Sequence, residues 1–222
     1  MAAVVATGLA FASPASAEVR TGWIGSTPPV GGQLYLHTST IDNAGVPKAS
    51  TRIYTAFGGT VAQGTMAAKA RLFREGALCA ATDYQFNLFF TNSQNVTVQK
   101  DCGPGFYNSH GFVGVQPPGA AFGEYITFPS DPLQYPPAAA AARQAPPASG
   151  TNADGLTYGS AADITDESQL PDLVSAIGAN GETGYIAGDE LSTDEAQTSS
   201  RSVPLVAEDG KTVVGEFVIG EG

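Results

Sequence analysis

The stretch of this chain richest in reactive groups is GFYNSHGF, residues 105–112, where Tyr107, Asn108, Ser109 and His110 follow one another. A hydroxyl beside an imidazole is the raw material of nucleophilic catalysis, which also needs an acid to orient the imidazole. The nearest acids in sequence, Asp101 and Glu124, stand in no recognisable motif. Neighbouring residues on an extended strand point to opposite faces, so Ser109 and His110 are expected to diverge. The expectation is an exposed polar strand end backed by an aromatic face, with Tyr107 and His110 as candidate binding residues. His37, in LYLHTST, shares a strand face with Tyr35 and is expected at the surface rather than in a metal site.

Carboxylates crowd DITDESQLPD and GDELSTDEA. Glycoside hydrolysis needs two carboxylates flanking a sugar-sized cleft with aromatic platforms, whereas these acids lie in aromatic-poor segments and are expected in solvated loops. Calcium loops alternate oxygen ligands around a glycine and end in a bidentate Glu; DITDES lacks that spacing, which leaves weak calcium binding open. No Gly-rich phosphate loop, H-E-x-x-H or G-x-S-x-G occurs. No catalytic residue, metal or cofactor is assigned. A hydrolase is therefore the alternative to a binding protein, and a toxin or enzyme inhibitor a third reading.

The chain has two cysteines, Cys79 and Cys102, and two histidines. Four zinc ligands are hard to assemble from these. In an oxidising compartment two cysteines pair in one way only, and closing that loop stabilises by about 3 kcal/mol in the chain-entropy account. A Cys79–Cys102 disulfide is expected. The compartment follows from the N-terminus: MAAVVATGLAFASPASAEVR places small apolar residues before Ala15-Ser16-Ala17, the A-x-A spacing of a secretory cleavage site, with cleavage expected between Ala17 and Glu18. No Lys or Arg precedes Ala17, which suggests a start further upstream. No other run approaches the ~20 apolar residues of a membrane span.

Charge divides the chain. Seven basic residues balance seven acidic ones up to Tyr135, and three face fourteen from Pro136 onward, so the net charge of −11 sits in the C-terminal part. Such acidity opposes phosphate binding, and nucleic acid is not an expected partner. Between Leu34 and Pro129 the apolar residues follow a period of two. In TMAAKARLF, residues 65–73, Met66, Ala68, Ala70 and Leu72 fall on one face and Lys69, Arg71 and Phe73 on the other, the pattern of a half-buried strand. Turn signals such as DNAG, FGGT, REG and CGPG punctuate these runs.

About seven strands in an antiparallel sandwich or barrel are expected over residues 31–134, after a signal peptide at 1–17 and an arm at 18–30. Residues 135–155, YPPAAAAARQAPPASGTNADG, read as a Pro/Ala-rich linker. Residues 156–222 read as a small, acidic, mostly β module, in which LPDLVSAIG fits a helix or a buried strand and Asp209-Gly210 marks a hairpin turn. In FNLFF, Phe86, Leu88 and Phe90 are expected on one face. Phe89 on the other is a candidate platform for a sugar or a protein partner.

Two segments carry a resemblance. KARLFREGALCAATDY, with DCGPGFYNSHGFVGV and YITFPS, resembles secreted Streptomyces-like actinobacterial proteins, and so does GLTYGSAADI with PDLVSAIGANGETGYIAGDEL and VPLVAEDGKTVVGEFVIG. NGETGYIAGDEL, residues 180–191, is similar to the last strands of bacterial SH3-like modules. The resemblance implies export from a bacterium, in which the NVT sequence at Asn95 carries no weight, and brings no catalytic residues. A secreted, extracellular, non-enzymatic protein that binds cell-envelope glycan or another exported protein is the resulting expectation.

Overall fold

In the computed structural model, residues 17–136, 145, 147–192 and 199–220 are described. The segment expected to be a signal peptide lies outside them except for Ala17, as do residues 137–144 and 146 of the expected linker. The chain runs through β1 (Val19–Thr21), β2 (Gly25–Ser26), β3 (Tyr35–Asp42), β4 (Lys48–Thr55), β5 (Met66–Lys69), β6 (Arg71–Arg74), β7 (Ala77–Ala81), β8 (Gln85–Phe86), β9 (Ser93–Gln99) and β10 (Gly105–Ser109). It continues through β11 (Phe112–Val115), β12 (Gly123–Ile126), β13 (Leu133–Tyr135), β14 (Gly150–Thr151), β15 (Thr157–Gly159), β16 (Leu173–Ile177), β17 (Thr183–Ala187), β18 (Arg201–Val206) and β19 (Val213–Ile219). The protein is mainly β, with a one-turn 3-10 helix at Glu167–Gln169 and another at Gly188–Leu191.

Three sheets form. One has the order β1-β3-β4-β9, with β2 also on β3; another has β12-β11-β5-β8; the largest, of ten strands, has β13-β10-β6-β7-β19-β18-β17-β16-β15-β14. The last two are stepped continuations of each other: only Ala70 separates β5 from β6, and only His110 and Gly111 separate β10 from β11. At the step Ala70 N donates to Thr82 Oγ1 at 3.0 Å, and His110 N donates to the Arg71 carbonyl at 3.2 Å. Gly111 is required there, because a Cβ would stand 2.4 Å from the Lys69 carbonyl oxygen.

The first sheet packs on the stepped pair as a sandwich. Ile41, Ala49, Ile53, Val96 and Val98 meet Met66, Ala68, Ala70, Leu72, Val113 and Val115, the residues that the period of two assigns to an inner face. Cys79 and Cys102 form the expected disulfide, with Cα atoms 6.1 Å apart. Two expected turns also form. Glu75 and Gly76, both at positive φ, join β6 to β7, and Gly210 at φ 70° lies between β18 and β19.

The opposite face of the stepped sheet differs from the half-buried expectation. Lys69 and Arg71 are each only 1 % exposed, because chain from the acidic C-terminal part covers them. Phe73, Leu78 and Ala81 share a second core with Val174, Ala176, Ile186, Leu205, Phe217 and Ile219. The C-terminal strands do not build a sheet of their own: β7 pairs with β16 through Leu78↔Ala176 and with β19 through Ala81↔Ile219, both parallel. LVSAI is the strand rather than the helix, buried at every position as a strand between two layers must be. The expected linker is also structured at its ends, since Tyr135 pairs with Gly105 and β14 pairs with β15.

Both histidines are internal. His37, expected at the surface, is 3 % exposed, with Gly25 passing so close that a Cβ there would collide with the imidazole. Burial pushes its pKa down to about 4; burial and then the Arg71 charge push His110 down to about 3. The unfolded chain takes up these protons near the ordinary histidine value of about 6.5. Below that pH it binds more protons than the folded chain, so stability is full above about pH 7 and falls as pH drops toward the folded values. The urea midpoint is expected to be lower at about pH 5.5 than at about pH 7.5, before most carboxylates titrate. Equal midpoints would contradict neutral burial.

Candidate functional site

FNLFF does not continue as a strand. β8 ends at Phe86 and the next residues turn, so Leu88, Phe89 and Phe90 all face solvent, at 68, 78 and 76 % exposure. The alternation expected for Phe90 and Leu88 fails because Asn87 redirects the chain. Asn87 is 1 % exposed, and its Oδ1 accepts from Met66 N at 2.8 Å. Its Nδ2 donates to the carbonyls of Ala62 and Phe89, each at 2.8 Å. Its backbone is also engaged, donating to the Met66 carbonyl and accepting from Gly64 N. A buried amide with every bond made fixes one loop conformation. Three large apolar side chains are therefore presented without a folding cost at the moment of binding.

Beside this loop lies a cleft of about 560 Å³, lined by Phe86 and Phe89 and by the polar side chains of Gln85, Thr91, Ser93 and Gln94. Gln94 Nε2 donates to the Gln85 carbonyl at 3.1 Å, which braces the polar wall. Phe57, 86 % exposed, projects from the turn after Thr55, whose N–H donates to the Asn92 carbonyl at 2.9 Å. Aromatic rings beside amide and hydroxyl groups can stack on one face of a ligand and hydrogen-bond its edge.

The other candidate residues lie elsewhere. Tyr107, 1 % exposed, offers no binding surface: its hydroxyl donates to the Gly103 carbonyl at 2.6 Å and accepts from Cys102 N at 3.0 Å, fixing the loop at the disulfide. Burial pushes its pKa up to about 12. His110 is equally unavailable at 3 % exposure. Its Nδ1 lies 3.3 Å from Arg71 Nη2, so it faces a guanidinium. Ser109 Oγ contacts the Ser50 carbonyl on the other side, so the two side chains diverge as expected and build no nucleophile.

A second cluster escaped the reading of single motifs. Lys69 Nζ donates to Glu167 Oε1 at 2.7 Å and to the Leu191 carbonyl, and lies 5.0 Å from the Tyr84 ring centroid. The Tyr84 hydroxyl donates to Glu124 Oε2 at 2.5 Å. Burial, Glu124 and Glu167 together raise its pKa well above the ordinary value. Glu167 opens the 3-10 helix capped by Asp166, whose Oδ1 accepts from Ser168 N at 2.8 Å. Part of the expected solvated loop is thus an internal carboxylate, and the signal for it was Lys69 and Arg71 standing in an alanine-rich strand. Arg71 itself stacks 4.3 Å from the Phe112 centroid and donates through Nε to the His110 carbonyl.

Among the described residues no group of three or more His, Cys, Asp or Glu is placed to hold a metal ion, and no helix is long and apolar enough to cross a membrane. Comparison of the chain with protein-family models, with curated proteins and with solved structures finds no match.

Proposed function

We propose that this is a secreted, non-enzymatic protein that binds a neutral cell-envelope glycan at the Phe86–Phe90 loop. The observation that carries the reading is the exposed Phe89 ring on a braced loop, over a cleft walled by amides, hydroxyls and the Asp83 carboxylate that Arg201 pairs. An uncharged sugar chain matches both surfaces: its axial C–H face suits the ring, and its hydroxyls suit Gln85, Thr91, Ser93 and Gln94. The net charge of −11 argues against polyanionic ligands. The A-x-A step at Ala15–Ala17 and the disulfide support export.

Pelleting with insoluble envelope material, peptidoglycan and neutral polysaccharides tests this. Phe89→Ala is expected to weaken binding about tenfold, the worth of one central aromatic contact. Asn87→Ala is expected to weaken it further by releasing the loop, with a lower melting temperature as the second readout. Wild-type protein that stays in the supernatant with every polymer would overturn the reading.

One observation favours a hydrolase as the second reading. Glu124, Glu167 and the Phe122 ring line a cleft of about 350 Å³ with Ser168 and Ser192, and paired carboxylates beside an aromatic platform are the elements of glycosidic cleavage. Soluble fragments released in the same pelleting experiment, and abolished by Glu124→Gln, would establish it.

A further inference from the structure

The Lys69–Glu167 contact has the makings of a covalent bond. Its partners come from strands and helix 98 residues apart, and the side chains are 1 and 8 % exposed. The amine is held against the carboxyl group at 2.7 Å, with its remaining directions taken by the Leu191 carbonyl and the Tyr84 ring. Ion pairs at a surface exchange partners with water; in this one the amine is buried and the carboxylate is 8 % exposed. Proximity of that kind turns a slow bimolecular condensation into an intramolecular one.

We propose that Lys69 and Glu167 condense spontaneously to an isopeptide bond that ties the N-terminal sandwich to the C-terminal strands. One proton transfer within the contact gives the amine and the carboxylic acid. Nζ then attacks Cδ of Glu167, the N–C bond forms, the C–O bond to the hydroxyl breaks, and one water leaves. Nothing is oxidised or reduced and no co-reactant is consumed. Tyr84 and Glu124, joined by their 2.5 Å hydrogen bond, stand next to the reacting pair as the groups that accept and return protons to the tetrahedral intermediate. The released water has an exit, because Glu124 and Glu167 both line the open cleft of about 350 Å³. The bond would consume Glu167 and so remove one of the two carboxylates that a hydrolase at this cleft needs. It is independent of glycan binding at the Phe86–Phe90 loop.

Mass spectrometry of the reduced, denatured full chain decides the matter, counted from the N-terminal residue found by sequencing. The expected result is a chain one water lighter than its residues sum to. Trypsin is expected to pass over Lys69 and yield residues 53–71 joined to residues 144–201. Lys69→Arg, which keeps the positive charge but not the amine, is expected to restore the full mass. Wild-type chain at the unlinked mass, still cut after Lys69 following prolonged incubation at neutral pH, would overturn the proposal whether or not the variant folds.

Discussion

Lys69→Ala is expected to lower the free energy of unfolding by about 3–5 kcal/mol, the usual consequence of removing one partner of a buried ion pair. The cost has an identifiable location. Glu167 would keep a carboxylate that is 8 % exposed with its cation gone, and the Leu191 carbonyl would lose its donor. Water could reach Glu167 only through the cleft it lines with Glu124, and the Leu191 carbonyl belongs to a residue of the second core. Changing both partners is a different experiment, because apolar side chains of similar size leave no stranded charge. The double variant Lys69→Met with Glu167→Leu is therefore expected above the single variant but below wild type, since it still forfeits the covalent closure. Unfolding free energies from urea titration give the order, with the slope fitted for each chain because a cross-link compacts the unfolded state. A Lys69→Ala protein as stable as wild type would mean that the pair is solvated in solution.

The inner face of the sandwich was legible because a strand with one buried face writes that face into the sequence at every second position. Met66, Ala68, Ala70 and Leu72 are read correctly from spacing alone, and so are the turns at Glu75-Gly76 and Asp209-Gly210, in which Gly76 and Gly210 take positive φ. The outer face was not legible. Lys69 and Arg71 look the same in sequence whether they meet water or a second layer that supplies a carboxylate and carbonyls, and the residue that decides between the two, Glu167, is 98 positions away. The same blindness to long-range partners put His37 and His110 at the surface and made residues 156–222 read as a small module. Their acidity suggests a solvated module, although the region builds a core of Val174, Ile186, Leu205 and Phe217 with Phe73 and Leu78 and sends Glu167 inward.

At the candidate binding loop the failure was local. Period-two reasoning holds only while the chain stays extended, and it stops at Asn87. An asparagine between aromatics carries little signal by itself, yet the three hydrogen bonds of its side chain turn Leu88, Phe89 and Phe90 outward together. Phe89 stood out as a candidate for the outward direction; its two neighbours did not.

Phe217→Ala is expected to destabilise the whole chain by about 3–5 kcal/mol, the range for emptying a buried phenylalanine site. It is also expected to do so in the sandwich, where Phe217 does not lie. Phe217 is fully buried on β19, and its cluster includes Phe73 and Leu78 of β6 and β7, whose other neighbours carry the sandwich core. Lys100, from the loop before Cys102, adds a second tie: its Nζ lies 5.4 Å from the Phe217 ring centroid and donates to the Ile177 carbonyl at 3.2 Å. A chain built this way unfolds as one unit, because β7 cannot lose β16 and β19 without exposing both cores. The Cys79–Cys102 disulfide offers a probe on the sandwich side of β7, since both cysteines pack in the sandwich core and are enclosed while the fold is intact. Under native conditions Phe217→Ala should accelerate its reduction by about 100-fold or more, following the rise in the globally open population. If the acidic part were instead an independent module, the same variant would melt the C-terminal strands alone, and the disulfide would be reduced at the wild-type rate.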